Sequence, residues 1–252
     1  VPYGDGLYYD WRKDVRIEQD QVLKINDYLG FNPALSSIRD LWDQNKVAVI
    51  NGVGYPEPNR SHFRSVDIWN TAESVGIGNS GWLGRAIREI DPNAENPITG
   101  VNFGRGLPRA LSCKGVPVAS VGDLENYGLL PDIEGEQSRE LALTAFSQIY
   151  GSAMAHDTVS QFIGETGIQA LKGADILRTA PEKYSSSIEY GNDPIGQSMR
   201  NIAQVLTADI GTRVFYTSHG SFDTHAAEME THTKLWTETS NAIGDFMADM
   251  KE

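Results

Sequence analysis

Apolar positions along the chain alternate between two patterns, one of helical period and one of short continuous runs. Leu35, Ile38, Leu41 and Trp42 mark one face of a helix over residues 35–44. Residues 46–53 follow as a short apolar run centred on Val47-Ala48-Val49-Ile50, which predicts a strand buried on both faces. A loop over residues 54–60 leads to a helix starting near Ser61, with Phe63, Val66, Trp69 and Ala72 as its apolar stripe. A glycine-rich turn over 76–81 precedes a short helix over 82–90. Residues 98–103 and 116–121 read as strands, and 138–154, 157–177 and 195–208 as helices. Residues 212–218 give the last strand. From Ala226 onward, Met229, His232, Trp236, Ile243, Phe246, Met247 and Met250 share one helical face.

Strands alternating with helices imply an α/β fold: a three-layer α/β/α sandwich with a mainly parallel sheet. In such sheets ligands bind beyond the carboxyl ends of the strands. The loops after Val53 and after Ser218 are therefore the places where chemistry is expected. With 252 residues, no internal repeat and no low-complexity linker, the chain reads as a single α/β domain over 1–252. It opens on Val1-Pro2 without Met, and its last helical pattern runs to Met250 without a stop signal. Both ends lead us to expect a segment of a larger domain.

Composition narrows the function classes. A formal net charge of -13 with dispersed Lys and Arg disfavours nucleic acid and anionic lipid. An anionic substrate then needs a metal or a local Arg cluster to reverse the field. The single cysteine, Cys113, excludes an internal disulfide and a Cys-based zinc site. No apolar run is long enough to span a membrane.

Two segments concentrate reactive side chains. The first is Arg60-Ser61-His62-Phe63-Arg64, at a helix start. A Ser there has its hydroxyl beside free backbone N–H groups and the positive end of the helix dipole, which favours an anionic ester or oxyanion. Arg60 and Arg64 are candidates for phosphate or sulfate contacts. Ser61 also fits an ordinary N-cap, although Arg64 stands where a capping box would have Glu or Gln. The second segment is His219-Gly220-Ser221-Phe222-Asp223-Thr224-His225, with His232 two turns further along. Three of the five histidines lie here. Asp223, His225 and His232 are candidate ligands for a divalent metal, with zinc, calcium and manganese all compatible. A helix cap accounts for Asp223 alone and leaves the histidine clustering unexplained.

Other features have simpler readings. Residues 76–81 match G-x-G-x-x-G but follow a helix, so a turn is expected and not a dinucleotide site. Asp157 after His156 reads as an N-cap. Tyr3, Tyr8, Tyr9 and Trp11 read as packing.

Several stretches together resemble a bacterial family, the domain of unknown function 1501 family. They are Val53-Gly54-Tyr55-Pro56 with Arg60-Ser61-His62-Phe63, Asp67-Ile68-Trp69, Gly81-Trp82-Leu83-Gly84-Arg85, and Phe222-Asp223-Thr224-His225 with His232. That family is similar to the alkaline phosphatase and sulfatase superfamily. Its members are mostly exported, often on a twin-arginine signal. The resemblance implies an alkaline-phosphatase-like fold and a periplasmic, cell-envelope or secreted location. Family members carry further segments before the Pro-Tyr at Pro2-Tyr3 and after the helix that ends here, and these would complete the metal site. Ser221 stands where Gly is more usual. The expected function is metal-dependent hydrolysis of phosphate or sulfate esters. Ser61 would be nucleophile or anion anchor beside His62, Arg60 or Arg64 would contact the ester oxygens, and Asp223, His225 and His232 would hold the metal. The expected substrate is an anionic small-molecule ester or a sulfated or phosphorylated polymer. Residues 1–252 alone are expected to bind metal weakly, to turn over aryl esters no faster than buffer, and to associate through exposed sheet edges. The rival expectation is a non-catalytic envelope or secreted binding protein on the same scaffold.

Overall fold

A computed structural model describes residues 1–124, 127, 136–153 and 158–252. The chain is of mixed helix and strand, and it divides into two compact units. One comprises Val1–Val53, Ser186–Ala203 and Ser218–Glu252; the other comprises Gly54–Ser185 and Gln204–Thr217. The expected N-cap at Asp157 lies outside the described residues.

In the first unit, α1 (Gly6–Trp11) is capped by Asp5, whose carboxylate accepts from Leu7 N. A short antiparallel pair follows, β1 (Leu23–Lys24) with β2 (Gly30–Phe31). The Val1 ammonium donates to Gly30 O at 2.7 Å, and Gly30 N donates back to Val1 O. Tyr3, Ile17 and Val22 form a small buried cluster beside them. Of the N-terminal aromatics, Tyr3 is buried and Tyr8 packs edge-on against Tyr9, whereas Trp11 is exposed. Helix α2 (Ser36–Asp43) packs on the long α8 (Glu228–Asp249). The approach is close at Gly244, where an added Cβ would meet Ser37 Cβ at 2.7 Å, and Ser240 Oγ accepts from Ile38 N. At the far end of α8, Tyr190 donates a buried 2.6 Å hydrogen bond to Asp249.

The apolar run at residues 46–53 is not a buried strand. Val49 and Val53 are exposed, Ile50 is 78% exposed, and the backbone of residues 47–53 makes no hydrogen bond with the described residues. A β-branched run favours extended geometry, but only pairing makes it a strand. Here Asn45 (φ 57°) and Gly52 (φ 72°) bracket it with left-handed turns.

The second unit carries a parallel sheet in the order β4-β3-β5, with β3 (Gly100–Phe103) central, β4 (Ala119–Val121) on one side and β5 (Val214–Thr217) on the other. Every residue of β3 is buried. Because successive side chains point to opposite faces, both faces of this strand are covered. Ile87 of α4 (Trp82–Ile90) sits over Gly100, where a Cβ would meet its Cδ1 at 2.4 Å. Gly173 of α6 (Thr158–Leu177) approaches Ile98, and α6 pairs with α5 (Glu136–Ala153). A single 3-10 turn (Pro181–Lys183) follows α6. Helix α7 (Pro194–Thr207) starts in the first unit and ends in the second. The glycine-rich segment 76–81 is a turn, and Gly81 caps α4.

Helix α3 (His62–Thr71) forms as the pattern predicts but faces the other way. Phe63 is 90% exposed and Val66, Trp69 and Ala72 are exposed too, while Ile68 and Thr71 are buried. Polar partners override the apolar stripe. Arg64 reaches Asp67 at 2.7 Å and the carbonyls of Glu73 and Ser74, and Arg85 donates to Thr71 O at 2.8 Å. These bonds turn the Arg64–Asp67–Thr71 side of α3 inward.

Asp91 closes the turn after α4. Its carboxylate accepts from Glu95 N and Asn96 N at 3.0 Å each and from the Thr99 hydroxyl at 3.1 Å. Burial alone would raise its pKa, but the bonds from Asn96, Glu95 and Thr99 win and hold it below the ordinary carboxylate value. A depressed carboxyl contributes stability that is complete at neutral pH and is lost as pH falls through its folded value. Asp91→Asn is therefore expected to be less stable than wild type at pH 7, with the gap closing in acid below about pH 4. Urea midpoints at several pH values measure this, and a gap independent of pH would count against the capping role.

Candidate functional site

The first cluster sits at the amino end of α3 and is held by its preceding loop. Tyr55 Oη lies 2.7 Å from Ser65 Oγ and accepts from Asn59 N at 3.1 Å. Ser65 in turn donates to Asn59 O, and Asn59 Oδ1 accepts from Ser61 N at 2.8 Å. The loop is thus pinned to the first helical turn, with Arg60, Ser61 and His62 all exposed. Ser61 is the N-cap of α3, and its hydroxyl accepts from Arg64 N at a long 3.5 Å. The weak cap leaves the oxygen open to solvent and to the first-turn N–H groups.

Of the two candidate arginines, Arg60 forms no ion pair or hydrogen bond with the described residues. Arg64 is committed to Asp67 and two backbone carbonyls. Asp67 is itself shared, since Arg109 Nε lies 3.4 Å from its other oxygen. Arg109 also donates to Gly78 O. This Arg64–Asp67–Arg109 bridge escaped sequence reasoning, because 42 residues separate Asp67 from Arg109 and no periodicity links them.

The second cluster follows β5. Asp223 Oδ1 and His225 Nε2 are 3.2 Å apart, with side chains 79% and 86% exposed. The structure therefore brings two of the three expected ligands together at a solvent-facing turn. His232, on the second turn of α8, has its Nε2 3.2 Å from the Phe222 carbonyl. The Phe222 ring packs among His219, His232 and Trp236, with the Trp236 centroid 4.9 Å away. His219 Nε2 lies 3.3 Å from Glu238 Oε2, close but not aligned as a hydrogen bond, and Lys234 reaches the other Glu238 oxygen at 3.7 Å. Sequence reading missed Glu238, because six residues after His232 puts it on a different face of the helix and no local spacing links it to His219. Asp223 and His225 supply two donors suited to a divalent ion, and among the described residues no third His, Cys, Asp or Glu joins them.

The segment turns at Ser221, which adopts φ 70°. This left-handed conformation favours glycine over an L side chain by about 1–2 kcal/mol, partly offset by the chain entropy of glycine. Ser221→Gly is expected to stabilise the fold by about 0.5–1 kcal/mol. A denaturant midpoint unchanged or lowered in this variant would show that the turn carries no such strain.

No helix among the described residues is long and apolar enough to cross a membrane. No family model, no curated protein and no solved structure matches this chain.

Proposed function

We propose that the protein is a metal-dependent hydrolase of phosphate or sulfate esters, on an alkaline-phosphatase-like three-layer scaffold akin to the domain of unknown function 1501 family. The observation that carries this reading is the exposed Asp223–His225 pair at 3.2 Å. A carboxylate and an imidazole so placed are two ligands of a divalent zinc, calcium or manganese site that leaves coordination positions open to water. A bound metal would stabilise developing negative charge and lower the pKa of the attacking group. His232 joins as third ligand only if its Nε2 leaves the Phe222 carbonyl. Ser61 acts as nucleophile or anion anchor beside His62, with Arg60 on the ester oxygens. Arg64 serves chiefly by holding α3 through Asp67. The burial of every β3 position supports the three-layer arrangement. By the same resemblance we place the protein in the periplasm, the cell envelope or the secreted fraction. Its substrate is then a small anionic ester or a sulfated or phosphorylated polymer. Among the described residues no strand covers the outer edges of β4 and β5, and these edges would be where a second molecule pairs.

Calorimetric titration with zinc, manganese and calcium is expected to show binding weakened at least tenfold in Asp223→Asn and in His225→Gln. Aryl phosphate and aryl sulfate turnover, where it occurs, is expected to need the metal and to vanish in Ser61→Ala. Metal affinity unchanged when both Asp223 and His225 are replaced would sink the proposal. A second reading, a non-catalytic binding protein, is favoured by the structural engagement of Ser61 as a cap and of Arg64 as an ion pair. Binding of a sulfated polymer that is unchanged when both Asp223 and His225 are replaced, with no metal bound by the wild type, would select it.

A further inference from the structure

The strand order β4-β3-β5 has a consequence at the carboxyl edge of the sheet. The chain leaving β3 passes to the β4 side, whereas the chain leaving β4 returns across β3 to reach β5. Right-handed crossovers put two such connections on opposite faces of a parallel sheet. Parallel sheets take their ligands at such a point, between the carboxyl ends of the two strands.

The residues at that point are Gly104-Arg105-Gly106 after β3 and Gly122 after β4. A Cβ built on Gly122 would lie 3.8 Å from Arg105 Cγ, so the arginine stem runs past a position that has no side chain. The loop under it is fixed. Gly104 N donates to Val121 O at 2.8 Å, and Gly106 O accepts from Asn102 Nδ2 at 2.8 Å and from Ser120 Oγ at 2.9 Å. Asn102 is itself buried. Three bonds thus fix the flanking residues Gly104 and Gly106, while the Arg105 guanidinium is exposed and forms no ion pair with the described residues. Arg64, Arg85 and Arg109 are, by contrast, each committed to a carboxylate and to backbone carbonyls.

We infer that Arg105 anchors a tetrahedral oxyanion between the carboxyl ends of β3 and β4, binding the phosphate or sulfate group of the ester; this rests on the hydrolase reading above. A planar guanidinium offers two parallel N–H donors to such an anion, a geometry that lysine lacks. A chain of net charge -13 repels anions in general, so an uncommitted arginine at a ligand-binding edge is the local reversal an anionic substrate needs. Gly104, Gly106 and Gly122 themselves add no side chain beside Arg105.

The test is direct binding of inorganic phosphate and, in parallel, inorganic sulfate to the metal-free protein, followed by equilibrium dialysis with labelled anion. Arg105→Gln is expected to weaken binding at least tenfold and Arg105→Lys by a smaller factor. Gly122→Leu, which adds a side chain beside the Arg105 stem, is expected to weaken it comparably. Arg178→Gln, an exposed control, is expected to bind as wild type does. The anion held more tightly names the ester class. Thermal unfolding checks that each variant is folded. Absence of binding in wild type, unchanged affinity in Arg105→Gln, or an equal loss in Arg178→Gln overturns the inference. The two readings fail separately. Anion binding through Arg105, with metal affinity unchanged when both Asp223 and His225 are replaced, retires the hydrolase and keeps the site. Turnover with an unchanged KM in Arg105→Gln retires the site and keeps the hydrolase.

Discussion

Among the described glycines, Gly81→Ala is expected to be the most destabilising change to alanine. A Cβ at Gly81 would lie 2.1 Å from Ala110 O and 2.2 Å from Arg109 O, both backbone atoms that cannot rotate away. The surrounding backbone is also tied in place, by Gly81 N donating to Ser112 O at 2.7 Å and Gly84 N donating to Ala110 O at 3.0 Å. Relief of the clash requires α4 to back away from residues 109–112, which breaks those bonds and uncovers Ile87 and Leu111, both fully buried. Overpacking typically costs about 1–3 kcal/mol, and a backbone clash belongs at or above the top of that range. We expect a loss of about 4 kcal/mol, seen as a fall of roughly 10 °C in Tm for a chain of this size. Gly54→Ala, where an added Cβ meets nothing within 4 Å, is the neutral control. Similar melting curves for the two variants would mean that α4 does not seat on residues 109–112.

The next largest effect is expected at Asp67. Its carboxylate is shared between Arg64 at 2.7 Å and Arg109 at 3.4 Å, and the Arg64 and Asp67 side chains are each only 22% exposed. Removing it leaves two half-buried guanidinium groups without their counter-charge. Breaking a fully buried pair costs about 3–5 kcal/mol; partial exposure and screening bring the expected cost of Asp67→Ala to about 2 kcal/mol. Asp67→Asn keeps the shape and loses the charge, and should fall between. In Asp67→Ala/Arg109→Ala one orphaned charge is gone, so the double variant should lose less than the sum of the singles. Strict additivity in denaturant titrations would show that the two residues do not act as a pair.

These two sites mark where sequence reading succeeds and where it stops. The limits of α4, Trp82–Ile90, follow from its period and from Gly81 before it. The parallel strands β3, β4 and β5 lie within the apolar runs that predict them. Both signals are local, set by which side chains a helix turn or a pleat brings to one face. The α3 face was misread because three hydrogen-bonded polar residues, Arg64, Asp67 and Thr71, outweigh an apolar stripe, and their partners lie elsewhere in the chain. The run at 46–53 was misread because apolar content speaks for extended backbone and says nothing about a neighbour. At the candidate site, the proximity of Asp223 and His225 was legible from two-residue spacing. That His232 turns its Nε2 to the Phe222 carbonyl depends on how the segment from 218 folds back on α8, which spacing does not encode.

The position of β5 in the sheet bears on how the protein is made. Its Thr217 hydroxyl donates to Phe103 O, a partner 114 residues earlier in the chain, and it supplies the second neighbour of the central strand. On a ribosome adding about 5–20 residues per second, β3 waits roughly 6 to 23 seconds for that neighbour. Throughout this interval one edge of a strand that is buried in the finished fold lacks the neighbour β5. Pairing of such high sequence separation is also slow once the chain is complete. Yield during synthesis is therefore set by what shields that edge while the ribosome works through α5, α6 and α7. Slower translation should raise the insoluble fraction even though the finished fold is unchanged.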